Sequence, residues 1–257
     1  MSHSPFLRLQ ALFLFIFCAV LILTGWEARA AQQRLTPEYI AGFAFFKYAG
    51  VQPDFRSWVT LSDAYKIASP RERVNMIHND VPFLENAFTN YDYGDSPIKI
   101  KTIVQVDIPT PSVAAKMLQE LGFVTVKIVL PEEKESYFAV PVADMWIALV
   151  PKDIDSHVNI ELSKEEFEGF KKAAANNGLK TMKGQAREAF LHIEMIPFMA
   201  NTTSPLVVNG YELWTLMADI VSFELWSPDD KALIWYHDLP GYRPRAESND
   251  VYNLFKQ

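Results

Sequence analysis

In the segment FLHIEMI, His192 and Glu194 stand at positions i and i+2. If this segment is extended, both side chains point to one side. An imidazole nitrogen beside a carboxylate oxygen can move a proton as a general acid–base pair, or share a divalent cation. A cation would need a third donor, drawn from His78, His157, His237 or a distant carboxylate. Phe190, Ile196 and Phe198 fall on the same alternation, so the pair shares its face with apolar side chains. The simpler reading of the two residues is a cross-strand ion pair or a satisfied histidine. His192 and Glu194 stand as the catalytic candidates, and neither a metal nor a cofactor is assigned.

A second constellation is aromatic. Ser227-Pro228-Asp229-Asp230-Lys231 reads as a hairpin loop, so the chain before it should pair with the chain after it. In a simple register Trp226 faces Ala232 and Leu225 faces Leu233. One face then holds Val221, Phe223, Leu225, Leu233 and Trp235, which is the expected core face. The other holds Ser222, Glu224, Trp226, Ala232, Ile234 and Tyr236, with Glu212 and Trp214 further back on the even positions. Flat aromatics beside a carboxylate suit a sugar or a peptide, which makes Trp214, Glu224, Trp226 and Tyr236 binding candidates. Packing of the N-terminal helices over that face is the competing expectation. A one-residue slip would exchange the two faces.

Other clusters carry less. Asp153-Ile154-Asp155-Ser156 offers oxygens at alternate positions but lacks the glycine and distal glutamate of a calcium loop, so it reads as a turn. His237-Asp238 follows the last expected strand with no serine placed near it. Glu132-Glu133 and Asp229-Asp230 read as loop acids that keep their loops solvated. The chain has no G-x-S-x-G elbow, no GxxxxGK[ST] loop, no GxGxxG and no HExxH. These absences remove several common enzyme classes, and the reading leans away from an enzyme.

The elements that must position these residues change in period along the chain. Thr36-Pro37-Glu38 opens a helix that Gly50 closes, with Tyr39, Phe43 and Phe46 on one face. Phe55, Trp58, Leu61 and Tyr65 continue at helical spacing. Ser69-Pro70-Arg71-Glu72 is a capping box, and the helix it starts should break or kink at Pro82. From Ile98 the alternation is two-residue, a long strand with one buried face. A short helix runs from Pro111 to Gly122, and a second capping box, Ser163-Lys164-Glu165-Glu166, starts another. Pro141 belongs at an edge or a bulge. Seven to nine strands with one or two inserted helices give an α+β fold: a helical N-terminal region followed by a mainly antiparallel β-sheet or sandwich. The expected organisation is a helical region at residues 31–95, a β-rich region at 96–240 packed with it, and a polar tail at 241–257.

The 257 residues carry a net charge of −7, which offers no excess of cations for nucleic acid. With 49% apolar and 21% charged residues, the composition is that of a globular chain. Residues 11–23, ALFLFIFCAVLIL, are an unbroken apolar run of thirteen, preceded by Arg8 and followed by Ala28-Arg29-Ala30. This is the layout of a secretory signal peptide at residues 1–30, with Ala28 and Ala30 as the peptidase site. The run is shorter than the roughly 20 residues that span a bilayer. An uncleaved N-terminal membrane anchor is the alternative. Cleavage after Ala30 removes Cys18, the single cysteine, and takes the net charge to −8 over 227 residues. A cysteine-free exported chain fits a bacterial periplasm or exterior. The sequence therefore points to an exported binding or envelope-associated module, off the membrane after cleavage. Its partner would be a small molecule, a glycan or an envelope protein. The alternative is a periplasmic hydrolase using His192 and Glu194, with or without a metal.

Overall fold

The computed structural model describes residues 35–239, except 93, 95, 132–136, 180–186 and 238. The segment at residues 1–30 expected to be a signal peptide, with Ala28 and Ala30, the Glu132-Glu133 pair, Asp238 and the tail at 241–257 lie outside the described residues. No helix among the described residues is long and apolar enough to cross a membrane.

Helix α1 (Pro37–Ala49) starts at Pro37 and ends at Gly50, which takes the left-handed conformation at φ 68°. Thr36 is its N-cap by position, but its side chain makes no capping bond. The second helical stretch is two short helices, α2 (Phe55–Leu61) and α3 (Asp63–Ile67), because Ser62 turns extended and caps the second. Helix α4 (Pro70–Thr89) begins at the full capping box of Ser69 and Glu72. Contrary to the expected break, α4 continues past Pro82 for nearly two turns. Leu84, buried, and Phe88, packed on the core, fix the last two turns strongly enough to outweigh one missing backbone bond.

Strand β1 (Ile98–Asp107) leads through α5 (Pro111–Leu121) to β2 (Val124–Val129). Next come β3 (Phe138–Val142), β4 (Met145–Pro151), the one-turn helix α6 (Ile154–Val158), β5 (Asn159–Leu162) and α7 (Lys164–Asn176). Strands β6 (Arg187–Ala200), β7 (Leu206–Val208), β8 (Tyr211–Trp226) and β9 (Leu233–Tyr236) complete the described elements. All nine strands form one sheet in the order β3-β4-β8-β6-β1-β2-β5, with β7 and β9 also paired to β8. Every pairing is antiparallel except β4 with β8. The chain is α+β, with its N-terminal helices first and its strands mostly antiparallel. Pro141 sits in the edge strand β3, where its missing N–H costs no ladder bond.

The helices share a single core with one face of this sheet. Ala41, Phe43, Ala44 and Phe45 of α1, Trp58 of α2, Leu84 of α4 and Phe167 and Phe170 of α7 join Leu191, Ile193, Met195, Phe223 and Leu225 from the central strands. The approach of α1 is close because position 42 is glycine. A Cβ there would lie 2.5 Å from the Trp58 ring and 2.7 Å from Val142. The Tyr48 hydroxyl donates to the Pro197 carbonyl at 3.1 Å and ties the end of α1 to β6.

Strand β8 departs from simple alternation, and this decides which residues share a face. Glu194 pairs with Ser222 but Met195 pairs with Ile220, so Val221 is an extra residue, a β-bulge. Before the bulge the even residues Leu216 and Ala218 are buried on the core face; after it the odd residues Phe223 and Leu225 are. Trp214 is therefore on the core side, its ring 5.6 Å from that of Phe45 in α1. It does not share a face with Trp226, as strict alternation predicts. Another shift lies between β8 and β9: Leu225 pairs with Trp235, but Trp226 pairs with Leu233. Ile234 consequently joins the core, whereas buried Leu233 does not. This reverses the expected placement of those two residues.

Candidate functional site

On the sheet face away from the core, three cross-strand rows run over β1, β6, β8 and β9. The middle row is Lys101, His192, Glu224 and Tyr236, each opposite the next. On one side of it runs Ile103, Phe190, Trp226 and Leu233; on the other, Lys99, Glu194 and Ser222. Two-residue alternation on β1, β6 and β8, with Ile234 as the extra residue of β9, produces all three rows. Imidazole opposes carboxylate, which favours the His192–Glu224 cross-strand pair, whereas Lys101 faces the imidazole and takes its opposite charge from outside the row.

The β8–β9 loop folds over the end of these rows. Ser227 organises it: its Oγ accepts from the Lys231 and Ala232 amides at 3.1 and 3.0 Å and donates to Asp229 Oδ1 at 2.6 Å. The Asp230 amide closes a turn on the Ser227 carbonyl at 2.8 Å, and Asp230 adopts φ 59°. That left-handed turn carries the Asp230 carboxylate across the sheet. Its Oδ1 lies 2.7 Å from His192 Nε2, and its Oδ2 pairs with the Lys101 ammonium. Trp226 stacks on the His192 ring at 5.3 Å between centroids and 19° between planes. The Trp226 indole Nε1–H donates to Glu224 Oε2 at 2.8 Å, on a carboxylate only 2% exposed. Lys101 also lies over the Phe190 ring, 4.3 Å from its centroid.

His192 and Glu194 do face the same side, but each has its own charged partner. Glu194 pairs with Lys99 at 2.9 Å, one row away from the His192–Asp230 contact. His157 and His237, the other considered donors, meet each other instead, Nδ1 to Nδ1 at 3.2 Å, against Phe223 of the core. Burial first, then the neighbouring His237, hold the His157 imidazole below its ordinary value, with Asp153 opposing. His78 is exposed on α4. Glu224, Trp226 and Tyr236 share one face and Trp214 is behind it. The region read as a calcium-like turn begins at Asp153, at φ 54°, and continues into α6.

Two members of the cluster were not among the candidates. Asp229-Asp230 reads as a solvated loop pair, yet Asp230 bridges Lys101 and His192. Lys101 has the right parity in the alternation of β1, but only the β1–β6 pairing brings it to His192. Partial burial pushes the Asp230 carboxyl up, but the hydrogen bond from Lys101 and the charge of His192 outweigh it, and the group sits below the ordinary aspartate value. A carboxyl lowered in the folded state stabilises the fold above its unfolded pKa, and that contribution fades as the pH falls through the folded value. D230N is thus expected to cost about 1–2 kcal/mol at pH 7, for one partly exposed charged contact pair. Urea unfolding at stepped pH should show the two proteins converging as the pH falls through the lowered value of the Asp230 carboxyl. A pH-independent difference would contradict the ion-pair account.

Cavities lie elsewhere in the chain. One of about 280 Å³ lies among α1, α2 and α4, lined by Tyr39, Val59, Met76, Asp80 and Phe83. Another of about 320 Å³ lies beside α7, with Lys171, Lys172 and Arg187. Neither is lined by any member of the His192 cluster.

No family model, no curated protein and no solved structure matches this chain.

Proposed function

We propose that the chain is an exported, envelope-associated binding module whose contact surface is the Trp226 face of the sheet. The leader pattern at residues 1–30 supports export to a bacterial periplasm or exterior. The observation that carries the binding reading is the fixed Trp226 indole. Glu224 and His192 hold it by its edge and one face, beside the half-buried Phe190 and Tyr236. A preset aromatic surface bordered by charges of both signs suits a ligand with flat apolar faces and polar edges. A cell-envelope glycan carrying amines and carboxylates has that chemistry. Lys99 and Lys101 would meet its acids, and Asp230 and Glu194 its amines.

Hydrolysis by His192 and Glu194 is the rival reading. Glu194 pairs with Lys99, and the charged partner of His192 is Asp230, so the two candidates do not form the acid–base pair that this reading starts from. The supporting experiment uses a soluble peptidoglycan disaccharide-peptide as probe, titrated calorimetrically into the full chain. Binding should weaken at least tenfold in W226A, about 1.4 kcal/mol, and remain intact in W146A, which truncates an exposed tryptophan of β4. Equal affinity in W226A and wild type would remove the reading, and turnover of the probe would favour the rival.

A further inference from the structure

His157 stands on α6 and His237 directly follows β9, 80 residues further along the chain, yet their Nδ1 atoms lie 3.2 Å apart. We infer that these two imidazoles form a binding site for a borderline divalent transition-metal ion of the zinc class, distinct from the Trp226 face. The separation is the first reason. Two nitrogens each about 2.0–2.1 Å from a tetrahedral zinc are about 3.3–3.4 Å apart, and little movement separates the pair from that spacing. Without a cation, one Nδ1 must carry a proton and the other a lone pair. A bound ion takes both lone pairs, and the displaced proton moves to Nε2 of the same ring, leaving both imidazoles neutral.

Preorganisation is the second reason, and Phe223 supplies it to both ligands. The His157 ring stacks on the Phe223 ring at 5.6 Å between centroids. The His237 amide donates to the Phe223 carbonyl at 3.0 Å, and its ring packs 5.7 Å from Trp235. Phe223 itself is fully buried at the centre of the sheet, so both imidazoles are anchored to the same fixed residue. The two rings meet at 61°, which separates their bodies while their nitrogens converge. Asp153, at the start of α6, adds a negative charge that acts on His157 and favours a cation there.

The ligand set selects the ion. Imidazole suits zinc, copper and nickel and is a poor ligand for magnesium or calcium. Among the described residues no group of three His, Cys, Asp or Glu side chains converges. Two protein ligands therefore leave the remaining positions to water or an exchangeable ligand, one protein ligand fewer than an ordinary catalytic zinc site has.

Zinc chloride titrated into the chelator-stripped full chain at pH 7.5 tests this, with magnesium chloride as the comparison. One zinc per chain is expected, magnesium giving no heat. H157A and H237A should each weaken zinc binding at least tenfold, and H78A should bind as wild type. Far-UV circular dichroism reports whether the alanine variants fold; H157N and H237N replace them if they do not. Absence of zinc binding by the wild type overturns the inference. So does wild-type affinity in the double variant, or loss of binding in H192A with retention in H157A and H237A.

Discussion

Deleting Val221 should abolish folding, whereas V221A should leave the chain folded. Val221 is the extra residue that lets Leu216 and Ala218 face the core on even positions and Phe223 and Leu225 on odd ones. Without it, strict alternation returns and one of these two sets must leave the core. All four side chains are fully buried. Exposing either pair costs several kcal/mol, and the partner strands β4 and β6 lose their packing with it. That approaches the whole stability of a domain, about 5–15 kcal/mol. V221A keeps the residue count and therefore the register, and should cost no more than about 1 kcal/mol. Near- and far-UV circular dichroism of the purified variants reads the difference. A folded, cooperative deletion variant would show that β8 alternates without interruption.

F43A should be the most damaging single substitution in the helical part. Phe43 is fully buried, and its ring meets those of Phe55, Trp58, Phe88 and Tyr91 at 5.5–5.9 Å. Through these contacts one side chain joins α1 to α2, to α4 and to the segment leading into β1. Truncation removes the transfer energy of the ring, leaves a cavity and deletes several edge and stacking contacts, together about 3–5 kcal/mol. For a chain of this size the Tm should fall by roughly 10 °C. F43L retains most of the volume and should lose less than half as much. A loss under about 1 kcal/mol in F43A would mean that the aromatic cluster does not hold the helices to the sheet.

What the sequence made legible follows from how local each signal is. Ser69 with Glu72 and Ser163 with Glu166 mark helix starts, and both boxes form, because each bonds within four residues. Gly50 and Gly122 end helices for the same local reason. The change of period at Ile98 announces the strand region. The bulge is not legible because Ile220 and Val221 are both apolar, so neither parity looks wrong there. Strand β7 is only three residues long. Its signal was present in Asn209-Gly210, at φ 51° and 82°, the pair that a tight hairpin turn requires. At the candidate site, Trp226, Glu224 and Tyr236 could be grouped from one hairpin. Asp230 could not, since its partner Lys101 is 129 residues away and the contact depends on pairing β1 with β6 and β6 with β8.

The central claim is that the Trp226 face is where this chain meets its ligand. The direct measurement is nitrogen-15 correlation spectroscopy of the full chain during titration with a soluble peptidoglycan disaccharide-peptide. The indole Nε1–H of Trp226 should shift first, together with the amides of Phe190, Lys101 and Tyr236, while the Trp214 indole under α1 stays in place. Shifts confined to the cavity lined by Tyr39 and Asp80, or an unperturbed Trp226 indole at saturating probe, would contradict it.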